Sequence, residues 1–182
     1  MIIIKNNNEL NYMRKSGRIV AETLLLIEEK IKPGITTAEL DRIAEEFIIK
    51  QGAKPSFKGL YGFPSSLCIS INEQVVHGIP GAYKLTFSVG NVSQEAQKLI
   101  EVTKDCFFEG VKFAHIGNRL TDISHAIQTY VEHSGFSVVR DFVGHGIGRN
   151  LHEDPEVPNF GMPGRGPKLR EGMVLAIEPM VN

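Results

Sequence analysis

Three side chains that could bind a cation or move a proton stand close together in the last third of the chain. His145 and His152 lie seven residues apart in Asp141-Phe-Val-Gly-His-Gly-Ile-Gly-Arg-Asn-Leu-His-Glu-Asp-Pro155. Glu178 follows in Met173-Val-Leu-Ala-Ile-Glu-Pro-Met180, an apolar strand pattern with a single carboxylate. Gly144, Gly146 and Gly148 surround the first histidine, and glycine lets backbone or ligand approach closely. A carboxylate in an apolar strand is costly to bury unless a cation meets it. Imidazole and carboxylate brought together from separate segments suit a divalent transition metal. Read singly, His145 could equally be a hydrogen-bonded loop histidine, and Glu178 a satisfied buried carboxylate.

A second constellation is Ser70-Ile-Asn-Glu-Gln-Val-Val-His77-Gly-Ile-Pro-Gly81. Asn72-Glu73 signals a turn between two apolar runs. His77, beside a glycine and before a Pro-Gly turn, is placed either to donate a proton or orient a substrate, or merely to end a strand. Upstream, Leu60-Tyr-Gly-Phe63-Pro forms an aromatic loop near Cys68 that could wall an apolar pocket or pack into the core. His115, His125 and His133 read as surface or helix-end residues, and Cys106 as core packing. Lys58 and the Arg165, Lys168 and Arg170 group read as solvated loop charges.

The elements that must position these groups alternate between helices and short strands. Helical periodicity covers Glu9 to Lys32, closed by Pro33-Gly34. Thr36-x-x-Glu39 is a capping-box pattern that opens a second helix ending at Gly52. Ser93 opens a third helix, and a fourth runs from about Thr121 to His133, ending at Gly135. Gly34 to Gly52 and Gly117 to Gly135 each span 18 residues, and an offset of 83 places Leu40 on Ile123, Phe47 on Tyr130 and Ile48 on Val131. This reads as an internal duplication of two helices followed by strand-like chain. Strand patterns occur at Leu67–Ile71, Val75–Val76, Leu85–Val89, Phe136–Val139 and Val174–Val181. The expected class is α+β. The expected organisation is one domain over 1–182, with a first half of about 1–90 and a second of about 91–182.

Composition narrows the partners. The 182 residues are 42% hydrophobic and carry a net charge of −1, so neither nucleic acid nor an anionic membrane surface is indicated. The two cysteines, Cys68 and Cys106, show no CxxC spacing, which argues against a disulfide framework or thiolate zinc site and for the cytoplasm. The apolar start, Met1-Ile-Ile-Ile, is too short for a signal peptide or anchor. The HGIG glycines lead into no helix pattern, so a nucleotide fold is not supported.

Taken together, Asn72-Glu-x-x-x-His77-Gly-Ile-Pro, Gly144-His145-Gly-Ile-Gly-Arg-x-x-His152-Glu and Gly172-Met-Val-x-x-Ile-Glu178-Pro closely resemble type I methionine aminopeptidases. The opening helices, with Lys32-Pro-Gly-Ile-Thr-Thr-x-Glu-Leu-Asp, resemble that family too, so the likeness covers nearly the whole chain. It implies a pita-bread fold of pseudo-twofold halves and metal-dependent removal of N-terminal methionine from new chains. Carried over, His145 and Glu178 match metal ligands. His77 and His152 match the histidines that contact substrate and stabilise the transition state. Leu60, Phe63, Cys68 and Leu151 match the pocket for the methionine side chain, with Leu60 standing where aromatics are common. The implied cofactor is a pair of divalent ions of the cobalt, manganese, iron or zinc type. The implied partners are Met-initiated peptides and ribosome-associated nascent chains, with no nucleic acid or membrane.

The chain departs from that family in one internal segment. Two metal-binding aspartates are expected after Gly78-Ile-Pro-Gly81, yet Lys84-Leu85 runs directly into Thr86-Phe-Ser-Val-Gly90. The family's strands with a further bridging glutamate would lie beyond Asn182. The resemblance therefore implies an incomplete central sheet, with three of five protein ligands missing and strand edges open to self-association. The alternative function is a non-catalytic pita-bread remnant that binds peptide or a protein partner.

Overall fold

The computed structural model describes residues 1–72, 74 and 86–182. The chain divides into two compact units, Asn11–Val92 on one hand and Met1–Leu10 with Ser93–Asn182 on the other. The strand expected at Val75–Val76, and the site histidine His77, lie outside the described residues.

The four helices are α1 (Asn7–Lys30), α2 (Thr37–Lys50), α3 (Gln94–Val111) and α4 (Leu120–His133). Their starts follow from local chemistry. Thr36 Oγ1 accepts the Glu39 N–H at 3.2 Å, and Ser93 Oγ accepts the Ala96 N–H at 3.1 Å. Each satisfies one of the N–H groups that a helix start leaves without a partner. α1 begins two residues before the expected Glu9. Asn6 Oδ1 accepts the Glu9 N–H at 3.1 Å while Glu9 Oε2 accepts the Asn6 N–H at 3.0 Å. That reciprocal pair is a capping box, closed at Asn6-x-x-Glu9.

The offset of 83 holds at the level of burial. α2 buries Leu40, Ala44 and Ile48; α4 buries Ile123, Ile127 and Val131, each 83 residues on. α1 buries Thr23 and Ile27, and their counterparts Cys106 and Gly110 are buried in α3. Residues four apart share one helix face, so each pair of helices turns the same stripe inward. In the Asn11–Val92 unit the stripe packs with Leu67, Ile35 and Ile69. In the other unit it packs with Leu120, Val138, Val157 and Leu169. α3 and α4 approach closely at Gly110, where a Cβ would come within 2.7 Å of Ile127 Cγ1. Glycine there lets α3 lie close against α4.

The strands differ most from expectation. The described sheet has three strands in the order β2-β1-β3: β1 (Gly144–Gly146), β2 (Glu153–Val157) and β3 (Leu175–Ala176). Both pairings are antiparallel. The glycine-rich segment around His145 is thus a central strand rather than a bend. β2 carries Pro155, after a cis peptide bond from Asp154, and a proline lacks the N–H that a strand pattern implies. Leu67–Ile71 and residues 86–89 form no strand, although both are apolar. A strand needs a continuous ladder, and within Leu67–Ile71 only Cys68 takes a bridge position. Phe136–Val139 and Val174–Val181 contribute only β3 and a single Val138–Val181 bridge. The expected turn after Ile71 is present, with Asn72 at φ 54° and the Gln74 N–H donating to the Ile71 carbonyl at 3.2 Å.

Candidate active site

β1 is held between two carbonyl-bearing neighbours. A Cβ on Gly144 would overlap the Ala176 carbonyl oxygen, and one on Gly146 would overlap the Asp154 carbonyl oxygen. Only hydrogen fits at these two positions, so the strands close tightly on either side of His145. Neither glycine has positive φ. Space, not backbone freedom, requires them.

That packing sets His145 opposite Ala176 of β3. Glu178 follows two residues later in the chain, and its Oε1 lies 3.2 Å from His145 Nε2. The side chains are 14% and 25% exposed, partly sheltered yet open on one side. His145 Nδ1 lies 2.8 Å from the Gly146 carbonyl oxygen. A carbonyl oxygen only accepts, so Nδ1 carries the hydrogen and donates it. In the neutral ring, Nε2 then presents a lone pair to the Glu178 carboxylate. Two acceptors facing each other at that distance favour a cation or a proton between them. The donor set therefore fits one divalent ion.

His152 completes the cluster. Its ring meets that of His145 edge-on, with centroids 4.4 Å apart and planes at 65°. Three of the anticipated residues, His145, His152 and Glu178, thus come together in the C-terminal unit. Among the described residues no group of three His, Cys, Asp or Glu side chains gathers at metal-binding spacing, so these residues do not furnish a full two-ion centre.

The other anticipated residues are placed as follows. Leu151 lies, half-buried, between β1 and β2. Leu60 opens a short 3₁₀ turn, Leu60–Gly62, in the Asn11–Val92 unit. Phe63 follows it, packed edge-on against Phe57 with ring centroids 6.2 Å apart, and Cys68 is half-buried beyond. Tyr61 at the tip of this aromatic loop projects into solvent.

Two features near the site were not legible beforehand. Lys5 and Glu153 form an ion pair at 2.6 Å, with side chains only 4% and 3% exposed. Lys5 holds the Glu153 carboxyl below the usual glutamate range, and the Asn150 N–H adds to that effect at 3.1 Å. The Lys5 N–H also donates to the Gly172 carbonyl at 2.8 Å, and Arg149 reaches Glu9 at 3.0 Å. The first ten residues are thereby fastened to the segment that carries His152. No local pattern announces a pair 148 residues apart in sequence. The second feature is Asn159, fully buried just past β2, whose Nδ2 donates to the Glu178 backbone carbonyl at 2.9 Å. A polar residue amid Val157 and Phe160 was the sole hint.

Comparison with known proteins places this geometry. The model of metallopeptidase family M24 matches residues 11–86 and again 82–182. The methionine aminopeptidase of Clostridium perfringens is 64% identical over 205 residues, covering 100% of this chain and 82% of that protein. Methionine aminopeptidase 1 of Bacillus subtilis is 53% identical, covering 100% and 83%. The crystal structure of Thermotoga maritima methionine aminopeptidase superposes with a TM-score of 0.95 at 40% identity, covering 100% and 82%. A Pyrococcus horikoshii prolidase, at 22% identity and a TM-score of 0.77, shares the fold alone. The architecture is the pita-bread fold, with a small and incomplete sheet. The C. perfringens match runs over 205 residues against 182 in this chain. The two family-model matches overlap at 82–86.

Proposed function

The chain belongs to metallopeptidase family M24, with methionine aminopeptidases among its relatives, and on that premise we propose that it removes N-terminal methionine from peptides by metal-dependent hydrolysis. The observation that carries this reading is the convergence of His145 Nε2 and Glu178 Oε1 to 3.2 Å, with the His152 ring alongside. His145 and Glu178 would hold a divalent ion. Cobalt, manganese, iron or zinc suits one imidazole and one carboxylate. A divalent ion bound there supplies Lewis acidity toward a peptide carbonyl. In the family arrangement it is one of two.

The chain's own groups do the remaining work. The Gly146 carbonyl fixes the His145 tautomer, so that Nε2 stays a donor atom for the ion. His152 is exposed beside His145, within reach of a peptide docked at the ion. It hydrogen-bonds the scissile carbonyl oxygen or the departing amide as charge develops. The family resemblance gives His77 the same role. Glu178, beyond its role as ligand, accepts the proton released when water attacks. Leu60, Phe63, Cys68 and Leu151 receive the methionine side chain. Nascent chains on ribosomes are the substrates in the cytoplasm, and among the described residues no helix is long and apolar enough to cross a membrane.

A second reading is supported by the described residues, among which no group of three metal-binding side chains gathers. In it the chain is a peptide-binding remnant without turnover, self-associating through its open strand edges. Hydrolysis of a Met-Ala-Ser peptide with added Mn²⁺ or Co²⁺ separates the two. Turnover that disappears in His145→Ala supports the enzyme. Saturable peptide binding with no turnover at any metal level supports the remnant.

A further inference from the structure

We infer that Asn159 is the positioning residue for Glu178, its side-chain amide holding the backbone carbonyl of that residue. The inference rests on the reading of Glu178 as a ligand, and on three observations. β3 ends at Ala176, so Glu178 lies beyond the ladder that holds His145. Pro179 follows and has no N–H to donate. The Val139 N–H reaches the Met180 carbonyl at 2.9 Å, which fastens the chain two residues past Glu178.

Across this interval Asn159 Nδ2 donates to the Glu178 backbone carbonyl at 2.9 Å. Asn159 is fully buried, and its Oδ1 has no hydrogen-bond partner among the described residues. Burying such an oxygen without a partner is unfavourable. An apolar side chain of similar size would avoid that cost but would lose the amide donor. Outer residues that orient a ligand typically account for about 10–100-fold in metal affinity. Asn159 acts on the backbone rather than on the carboxylate, which places its effect near the lower end of that range.

The test compares the parent chain with Asn159→Leu, and with Val131→Ala as a core variant on α4. Three quantities are read: Mn²⁺ affinity by calorimetry, the ¹⁵N and ¹H shifts of the His145 ring by NMR, and the urea midpoint. The expected result is Mn²⁺ binding about tenfold weaker in Asn159→Leu, with shifted His145 signals. Val131→Ala should lower the urea midpoint yet leave both site readouts in place. The inference is overturned if Asn159→Leu binds and resonates like the parent, or if Val131→Ala disturbs the site equally. Should Asn159→Leu not fold, Asn159→Ser removes the same donor with a smaller side chain. If the parent itself binds no Mn²⁺, the ligand reading falls, and the His145 shifts alone decide whether Asn159 positions Glu178.

Discussion

Replacing Lys5 by Met keeps its aliphatic stem and deletes its charge, leaving Glu153 buried without a cation. The pair is close, at 2.6 Å, and both side chains are nearly fully enclosed. Breaking a buried pair from one side costs about 3–5 kcal/mol. Protonation sets a ceiling. Neutralising a carboxyl of ordinary pKa about 4.3 at pH 7 costs about 3.7 kcal/mol, at about 1.36 kcal/mol per unit. The expected loss is therefore about 3–4 kcal/mol at pH 7, falling to about 1 kcal/mol at pH 5. The sign is set by opposite displacements. In the parent, Lys5 holds the Glu153 carboxyl low, so its stabilisation is present above the unfolded pKa and is lost as pH falls through the folded one. In Lys5→Met, burial pushes the same carboxyl up, and the folded state gains stability as pH falls. The two curves converge in acid. Urea unfolding followed by circular dichroism at both pH values gives the difference. A loss below about 1 kcal/mol at pH 7, or an equal loss at both pH values, would refute the account. Adding Glu153→Leu should restore most of the stability, because no lone charge then remains.

Two glycine substitutions should have opposite signs. Gly146→Ala forces a methyl group into the Asp154 carbonyl, opens the β1–β2 pairing and destabilises by at least about 1–3 kcal/mol. Gly17→Ala, inside α1 with no atom within 4 Å of the added carbon, should stabilise by about 0.5–1 kcal/mol. Urea midpoints check both, and a matching sign would contradict the packing described. Cys106 is fully buried, and burial, with Asp105 adding to it, pushes its thiol up to about 12. In a Cys68→Ser background it should resist a thiol reagent at pH 8 and react fully in urea. Because the folded pKa exceeds the unfolded one, the corresponding stability is full below about 8.5 and declines as pH rises toward 12. Reaction of the native protein at the rate of an unfolded thiol would refute this.

What local sequence determined was the helical frame and the identity of the chemical groups. Apolar residues every three or four positions, Ser or Thr caps and terminal glycines act within one helix turn. The α2 and α4 stripes and the 83-residue repeat were therefore visible in the string of letters. So were His145, His152 and Glu178 as candidates, because imidazoles and a carboxylate in glycine-rich or apolar surroundings are chemically conspicuous. The tertiary structure decided which of these groups meet. The 3.2 Å separation of His145 and Glu178 arises from antiparallel pairing of β1 with β3, an interaction across some thirty residues that no local propensity encodes. The same holds for Asn159 beneath Glu178 and for Lys5 beside Glu153. Their partners lie 19 and 148 residues away, and the burial that makes these contacts matter exists only once the chain has closed around them.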